Sequence, residues 1–517
     1  MKKAIVFLFF ILALGLILRL VNLTILPVFA DEAIYIRWSQ IMANEPTLRF
    51  LPMSDGKQPL FMWILMFVIN RFSDPLFAGR LISVFTGIGT LMGLFAVTFL
   101  LFKSRLAALV SSFIWAISPY ALFFDRIALV DSMLTMFGIW TFFFAVKTSK
   151  TLRLDYAMFT GFALGGAMLT KSPALFFLIL LPLTWHLSKW PTRTRSRIIH
   201  FIKLSFIFLF PVLISQVMYN ILRLGPNFHL INSRNLDYVY PVSHIFENWR
   251  DPLISHLGMF WDWLVKLGPW PLVILALAGI ATRINKYKKE LFVVWCIFLV
   301  PVLIQSEYAK VFASRYTFFS MPFLAILGGK AFVWSRKTSG LAKKSVVLTG
   351  MLFVILSLVS DFDLLTNPAK ANLPESERNG YLEEWTSGIG IKEVAGYIKT
   401  ETAENPGKSI VVGTEGYFGT LPDGLQMYLQ GVPNVTVIGV GIDLKEVPSS
   451  LTDSLKAGNK TYLVINKSRL LMDAESNGLM LISAYPKEPR TLGTWHFNLK
   501  GPQEVLYLFK VTDGTST

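Results

Sequence analysis

Residues 4–26 read AIVFLFFILALGLILRLVNLTIL, and residues 27–38 follow as PVFADEAIYIRW. A long, mostly apolar run thus gives way to two adjacent carboxylates, Asp31 and Glu32, with Tyr35 and Arg37 close behind. A membrane-spanning helix needs about 20 mostly apolar residues, and residues 4–26 meet that length. The alternative for MKK, this run and VFA is a secretory signal, whose apolar core is only about 7–15 residues. The length of the run favours an uncleaved first helix. The acidic pair then stands where the chain has just left the bilayer.

Composition agrees. The 517 residues are 53% hydrophobic and 16% charged, with a mean hydropathy of +0.52. A soluble chain of this size needs more charge to cover its surface, so the class is a polytopic membrane protein. The net charge of +16 would suit nucleic acid. The basic residues, however, sit in short clusters between apolar runs, the pattern of membrane orientation, and no nucleic-acid partner is expected. The single cysteine, Cys296, lies in an apolar run. It excludes an intrachain disulfide framework and a cysteine zinc site, and reads as a small packing residue.

Spans are read near 4–26, 80–102, 106–124, 131–148, 155–172, 173–187, 203–222, 269–282, 291–305, 317–334 and 345–360. With that count, six basic clusters fall on one side. They are Lys2–Lys3; Lys103 and Arg105; Lys147, Lys150 and Arg153; Lys189, Arg193, Arg195 and Arg197; Arg283, Lys286, Lys288 and Lys289; and Arg336, Lys337, Lys343 and Lys344. The positive-inside tendency names that side the cytoplasm. The run PLFMWILMFVIN (59–70) is too short to span and is expected to lie along the outer surface. Beyond residue 361 charge and turn residues rise. Strand-length runs SIVVG (409–413), NVTVIGV (434–440), TYLVIN (461–466) and EVLYLFKV (504–511) alternate with helical stretches at 391–401 and 421–431. The expected fold is a polytopic α-helical membrane domain over 1–360, with about 11 to 13 spans and a first outer loop at 27–79. A small extracytoplasmic α/β domain over 361–517 completes it. The fragment IGVG lacks the third glycine of a dinucleotide-binding turn.

The outer face collects the unusual polar residues. Asp31 and Glu32 suit a helix's first turn. Lys57 and Gln58 stand in DGKQPLFMW, Arg126 and Asp131 bracket FFDRIALVDS, Lys171 lies in LTKSP, and Arg315 and Tyr316 in SRYTFFSMP. Each alone reads as a cap, a snorkelling side chain or a turn-closing ion pair. Together they form a cationic pocket beside a carboxylate, and ionisable groups at membrane depth mark functional pathways. The small-residue spacings Gly89-x-x-x-Gly93 and Gly161-x-x-x-Gly165 read as helix packing. His229, His244 and His256 show no metal-ligand spacing, so Glu32 gains no evident metal partners from them.

In order and content, FADEAIYIRWSQIM, GKQPLFMW, SPYALFFDRIALVDSM, GFALGGAMLTKSPAL and SRYTFFSMPFLAIL resemble the GT-C glycosyltransferases. The similar branch holds protein O-mannosyltransferases and lipid A aminoarabinose transferases. The resemblance covers roughly residues 5–335. It implies a polyprenyl-phosphate sugar donor, with Asp31 as the catalytic carboxylate and Glu32 as its neighbour. Lys57, Arg126 and Arg315 would bind the donor phosphate, and Tyr35, Gln58, Asp131, Lys171 and Tyr316 would line the substrate site. Ile34 stands where aminoarabinose transferases carry arginine, and SDG (54–56) replaces a tyrosine before the lysine. The implication is therefore to the generic donor class.

The chemistry expected is inverting transfer of a sugar to a hydroxyl of a lipid, glycan or protein acceptor. Asp31 acts as general base. The leaving phosphate is already a stable anion, so bases rather than a second acid stabilise it. No cofactor is required and a divalent metal is optional. The competing readings are a transporter or flippase of lipid-linked sugars, which would place charges near the midplane in repeated halves, and a catalytically silent scaffold.

Overall fold

The computed structural model describes residues 2–268, 270–280, 287–336 and 339–512; Arg283, Lys286 and Lys337 lie outside the described residues. The helices are α1 (Lys2–Leu20), α2 (Ala30–Asn44), α3 (Pro75–Phe102), α4 (Arg105–Ala116), α5 (Val130–Thr151), α6 (Leu154–Thr170), α7 (Thr194–Asn220), α8 (Leu253–Lys266), α9 (Pro271–Ile280), α10 (Lys288–Tyr308), α11 (Met321–Ser335) and α12 (Leu341–Thr366). Among the described residues seven helical segments are long and apolar enough to cross a membrane, or eight if α8 and α9 make one broken span. The protein is an integral membrane protein. Some apolar runs are split. The run expected to span over 106–124 is α4, then a break at Ile117–Ser118, then a short helix Pro119–Phe124. Proline there fits a first helical turn and cannot continue the ladder of α4. The run at 59–70 forms Leu60–Met66 and Ile69–Arg71, too short to cross.

Contacts within the chain gather it into two compact units. The first comprises Met1–Leu23, Leu48–Ile64 and Arg80–Pro374. Its helices expose Phe9 and Phe10 on α1, Val217 on α7 and Leu348 on α12, as helices facing lipid do. Inside, the small-residue spacings let helices close up. A Cβ at Gly161 would lie 2.8 Å from Ile214, and one at Gly165 only 2.4 Å from Met218; both neighbours stand on α7. Gly89 and Gly93 meet Met136 and Ile139 of α5 in the same way.

The second unit comprises Thr24–Thr47, Leu65–Gly79 and Glu375–Thr517. It continues with α13 (Ile391–Glu404), β1 (Ile410–Glu415), α14 (Asp423–Leu429), β2 (Val435–Gly441), α15 (Ser449–Lys456), β3 (Lys460–Asn466), β4 (Leu479–Pro486) and β5 (Val505–Val511). The sheet order is β2-β1-β3-β5-β4. β1 runs parallel to β2 and β3, while β5 is antiparallel to β3 and β4. Period-2 alternation sorts the faces. Val411, Leu463 and Ile465 pack with Leu451 of α15, whereas Tyr462 points the other way onto Tyr397 of α13. β4 went unread in the sequence. Its residues LMLISAYP are half exposed along an edge, so they lack the continuous apolar character of β1 and β3.

Helix α2, with its acidic pair, belongs to this second unit. Its arginine and its glutamine bind α14: Gln40 Nε2 donates to the Met427 carbonyl at 2.9 Å and Arg37 Nε to Gln426 Oε1 at 3.2 Å. Ahead of α2, Phe29 bridges Ser387 in an antiparallel pair and stacks on Tyr381 at 4.5 Å. The Gly388 amide donates to the Val28 carbonyl at 2.8 Å. A Cβ at Gly388 would stand 2.4 Å from Val28 Cγ1 and 2.5 Å from its carbonyl oxygen. Gly388→Ala should therefore loosen this seam by about 1–3 kcal/mol. Faster amide exchange over residues 27–44, with β1 and β3 unchanged, is the expected result. Unchanged protection would show that the seam tolerates the methyl.

A buried ionic network backs the same unit. Arg490 donates to Glu384 at 2.7 Å and to Glu504 at 3.2 Å, and Lys500 reaches Glu384 at 2.8 Å. Lys487, almost fully buried, donates to the carbonyls of Glu384 and Ser387 at 3.0 and 2.9 Å. Burial lowers its ammonium pKa to about 8, against the opposing pull of Glu504, Glu415 and Glu384.

Candidate functional site

Within the first unit, the sequence-selected cations converge from four stretches of chain. Lys171, just past the end of α6, reaches Asp131 in the first turn of α5 at 2.7 Å. Its ammonium sits 4.6 Å from the centre of the Tyr316 ring. The Arg315 guanidinium lies over that ring too, at 5.3 Å. Gln58 donates to Ser172 at 2.8 Å, bringing the stretch ahead of the short helix Leu60–Met66 against the Lys171 turn. Lys57 is next along the chain and pairs with Asp55 at 3.3 Å. Asp131 thus serves as the counter-ion of Lys171.

One further cation joins this set. Arg234, on the helix Phe228–Tyr238, pairs with Asp55 and lies over the Tyr238 ring. The turn that carries Asp55 and Lys57 needs Gly56, which adopts a left-handed φ of +64°. A Cβ there would press within 2.6 Å of the Leu230 carbonyl and 2.7 Å of Arg234 Cβ. Arg234 was missed because residues 223–268 carry no motif. Only the charge of Asp55, two residues before Lys57, hinted at a second base. Lys57, Arg234, Lys171 and Arg315 outweigh the two carboxylates Asp55 and Asp131, so the cluster is net positive and suits an anion.

Arg126 is placed otherwise than expected. Its guanidinium donates to the carbonyls of Leu18 at 2.9 Å, Val21 at 2.7 Å and Asn22 at 2.7 Å. These are the acceptors left open where α1 ends. Beside it, the buried pair Arg19–Asp125 closes at 2.9 Å, with Ser132 donating to Asp125 at 2.5 Å. Asp361 of α12 supplies further negative charge. Arg126 therefore holds α1 in place, and the donor site proposed below leaves it out. The reason is the unpaired carbonyls, which a sequence does not display.

In the second unit, Asp31 and Glu32 occupy the first turn of α2. Glu32 is fully buried and accepts from the Phe29 amide at 3.0 Å, capping its own helix. Asp31 is only partly buried. Tyr35, one turn on, stacks on Trp38 with centroids 6.1 Å apart. Among the described residues, no three or more His, Cys, Asp or Glu side chains are grouped to hold a metal ion. His256 bonds the Ser306 carbonyl and stacks on Phe312, and His244 stacks on Tyr240.

A bundle of membrane helices, a cationic cluster between their ends and a small mixed sheet define a GT-C glycosyltransferase fold. Residues 56–215 match the family model of dolichyl-phosphate-mannose-protein mannosyltransferases. The structure is similar to that of ArnT from Cupriavidus metallidurans over 98% of both chains. It is 14% identical to the apo state at a TM-score of 0.59, and 15% identical to the state bound to undecaprenyl phosphate at 0.57. The archaeal oligosaccharyltransferase AglB from Archaeoglobus fulgidus, with an inhibitory peptide and a dolichol-phosphate, aligns over 90% of this chain and 69% of its own, at 11% identity and a TM-score of 0.48. No curated protein matches the chain in sequence.

Proposed function

We propose that the protein transfers one sugar, with inversion, from a polyprenyl-phosphate donor to an acceptor hydroxyl at the extracytoplasmic face. The observation that carries this reading is the cluster of Lys57, Lys171, Arg234 and Arg315 around Asp55, Asp131 and Tyr316. A net-positive, partly dry cluster at helix ends suits a lipid phosphate better than a neutral solute. The matched family model spans Lys57 and Lys171, and the shared fold with a chain that binds undecaprenyl phosphate supports the reading by analogy.

In this scheme Asp31 takes the proton of the acceptor hydroxyl while its oxygen attacks the anomeric carbon. The bond from that carbon to the phosphate oxygen breaks. Lys57, Lys171 and Arg315 stabilise the charge gathering on the phosphate. Gln58 and Tyr316 orient the headgroup, and Tyr35 packs beside the acceptor. Glu32 holds the helix turn that presents Asp31. The outer-face assignment rests on the clustering of Lys and Arg in the opposite loops.

The test is a screen of radiolabelled polyprenyl-phosphate sugars on purified protein. Transfer from at least one donor is expected, and inertness toward the whole series while lipid-linked sugar is translocated would favour a flippase. Lys57→Ala gives the sharper arm, because Asp55 keeps Arg234 as partner and the turn should stay folded. Losing one charge-assisted bond to phosphate, about 1.5–3 kcal/mol, should raise the donor KM about 10- to 100-fold, with a smaller change in kcat. An unchanged donor KM would move the phosphate site elsewhere.

A further inference from the structure

The sheet of the second unit has a strand edge that the proposed reaction does not use. From β1 the chain moves to β2 on one side, and from β2 it crosses back to β3 on the other. The carboxyl ends of β1 and β3 therefore flank a topological switch point, where open α/β sheets bind ligands. The residues placed there carry recognition chemistry. Glu415 ends β1, is buried, and accepts from the Asn466 amide and side chain at the end of β3, both at 2.6 Å. Burial raises the pKa of this carboxyl, opposed by the Asn466 hydrogen bonds and Arg469. Arg469 lies 3.6 Å from Glu415 and flat over the Trp385 ring at 4.0 Å. The connecting loop, Gly416-Tyr417-Phe418-Gly419, enters and leaves through glycines with φ of +72° and +120°. Those glycines stand beside Arg469 and Trp385 respectively. Between them Tyr417 is 70% exposed and Phe418 44%. Beneath, Asn466 Oδ1 is buried and accepts no hydrogen bond among the described residues.

The chemistry selects among ligands. A phosphate at this point would sit on the N-terminus of the helix after β1, but that end carries Asp423, whose carboxylate already accepts from the Gly419 amide at 2.8 Å. The Arg469 charge is offset by Glu415, which weakens the case for an anion. What remains is a planar donor, a buried acceptor and exposed aromatic faces. That set fits a neutral polyhydroxylated ring, whose C–H face lies on an aromatic side chain and whose hydroxyls both donate and accept.

We infer that the carboxyl edge of β1 and β3 is a carbohydrate-binding site read by Arg469, Trp385 and Tyr417. Phe418 of the same loop packs on Trp38 of α2 at 5.7 Å, two helical turns beyond Asp31. Resting on the transfer reading, the glycan held here is the acceptor, gripped by the loop that also touches the helix of the base.

The experiment uses the full chain in lipid nanodiscs on an array of neutral and acidic oligosaccharides. Wild type should retain a related set of neutral glycans. Tyr417→Ala and Arg469→Ala should each weaken that binding about tenfold or more, the value of one lost stacking or hydrogen-bonding contact. No retained glycan, or binding that neither variant weakens, overturns the site. Since Tyr417 is exposed, loss of fold does not obscure its result. Binding that survives while no donor supports turnover would defeat the transfer reading and leave the site standing.

Discussion

Asp31→Asn is expected to lower sugar transfer about 10²–10⁴-fold, the usual span for removing a general base, while the helix that carries it stays folded. The substitution keeps shape and one acceptor oxygen while it removes proton uptake. The buried neighbour Glu32 holds the turn through the Phe29 amide, and α2 is fastened to α14 by Gln40 and Arg37; none of these contacts involves Asp31. Donor binding should persist, because the proposed phosphate cations are other residues. The measurement is single-turnover transfer alongside donor affinity for the purified variant. Turnover at the wild-type rate would remove Asp31 from the mechanism.

Lys487→Met should destabilise the second unit by about 3–5 kcal/mol, the cost of breaking a buried ionic arrangement from one side. The ammonium at that position satisfies two carbonyls, and three carboxylates, Glu384, Glu415 and Glu504, lie within its electrostatic reach. Methionine fills the volume but leaves those carbonyls and charges without their donor. Arg490 and Lys500 still serve Glu384 and Glu504, so Glu415 bears the larger share. The expected observation is collapse of amide protection over β1, β3 and β5, with the apolar helices of the first unit unaffected. Protection retained at the wild-type level would mean that the carboxylates are balanced without Lys487.

Legibility in the sequence followed the physics of each feature. Seven of the helix spans were readable because lipid demands long apolar runs, while the expected spans at 106–124 and 173–187 are shorter helices; strands β1, β2, β3 and β5 were readable because each is a short apolar run between turn residues. Lys171, Asp131, Gln58, Arg315 and Tyr316, which lie together in the structure, could be picked out because charge and ring at helix ends are conspicuous in an apolar chain. Two things were hidden. The capping of α1 by Arg126 depends on open carbonyls, which every helix end has and no sequence marks. The attachment of residues 24–47 to the C-terminal sheet depends on contacts more than 340 residues apart, such as Phe29 with Ser387, and on a glycine, Gly388, that looks like any loop glycine.

That attachment bears on how such chains are recombined. Residues 24–47, 65–79 and 375–512 behave as one module written in three places, so a chimera that exchanges only the tail would strand the acidic helix on a foreign partner. A graft that carries all three pieces, seam included, is the one that should transplant function.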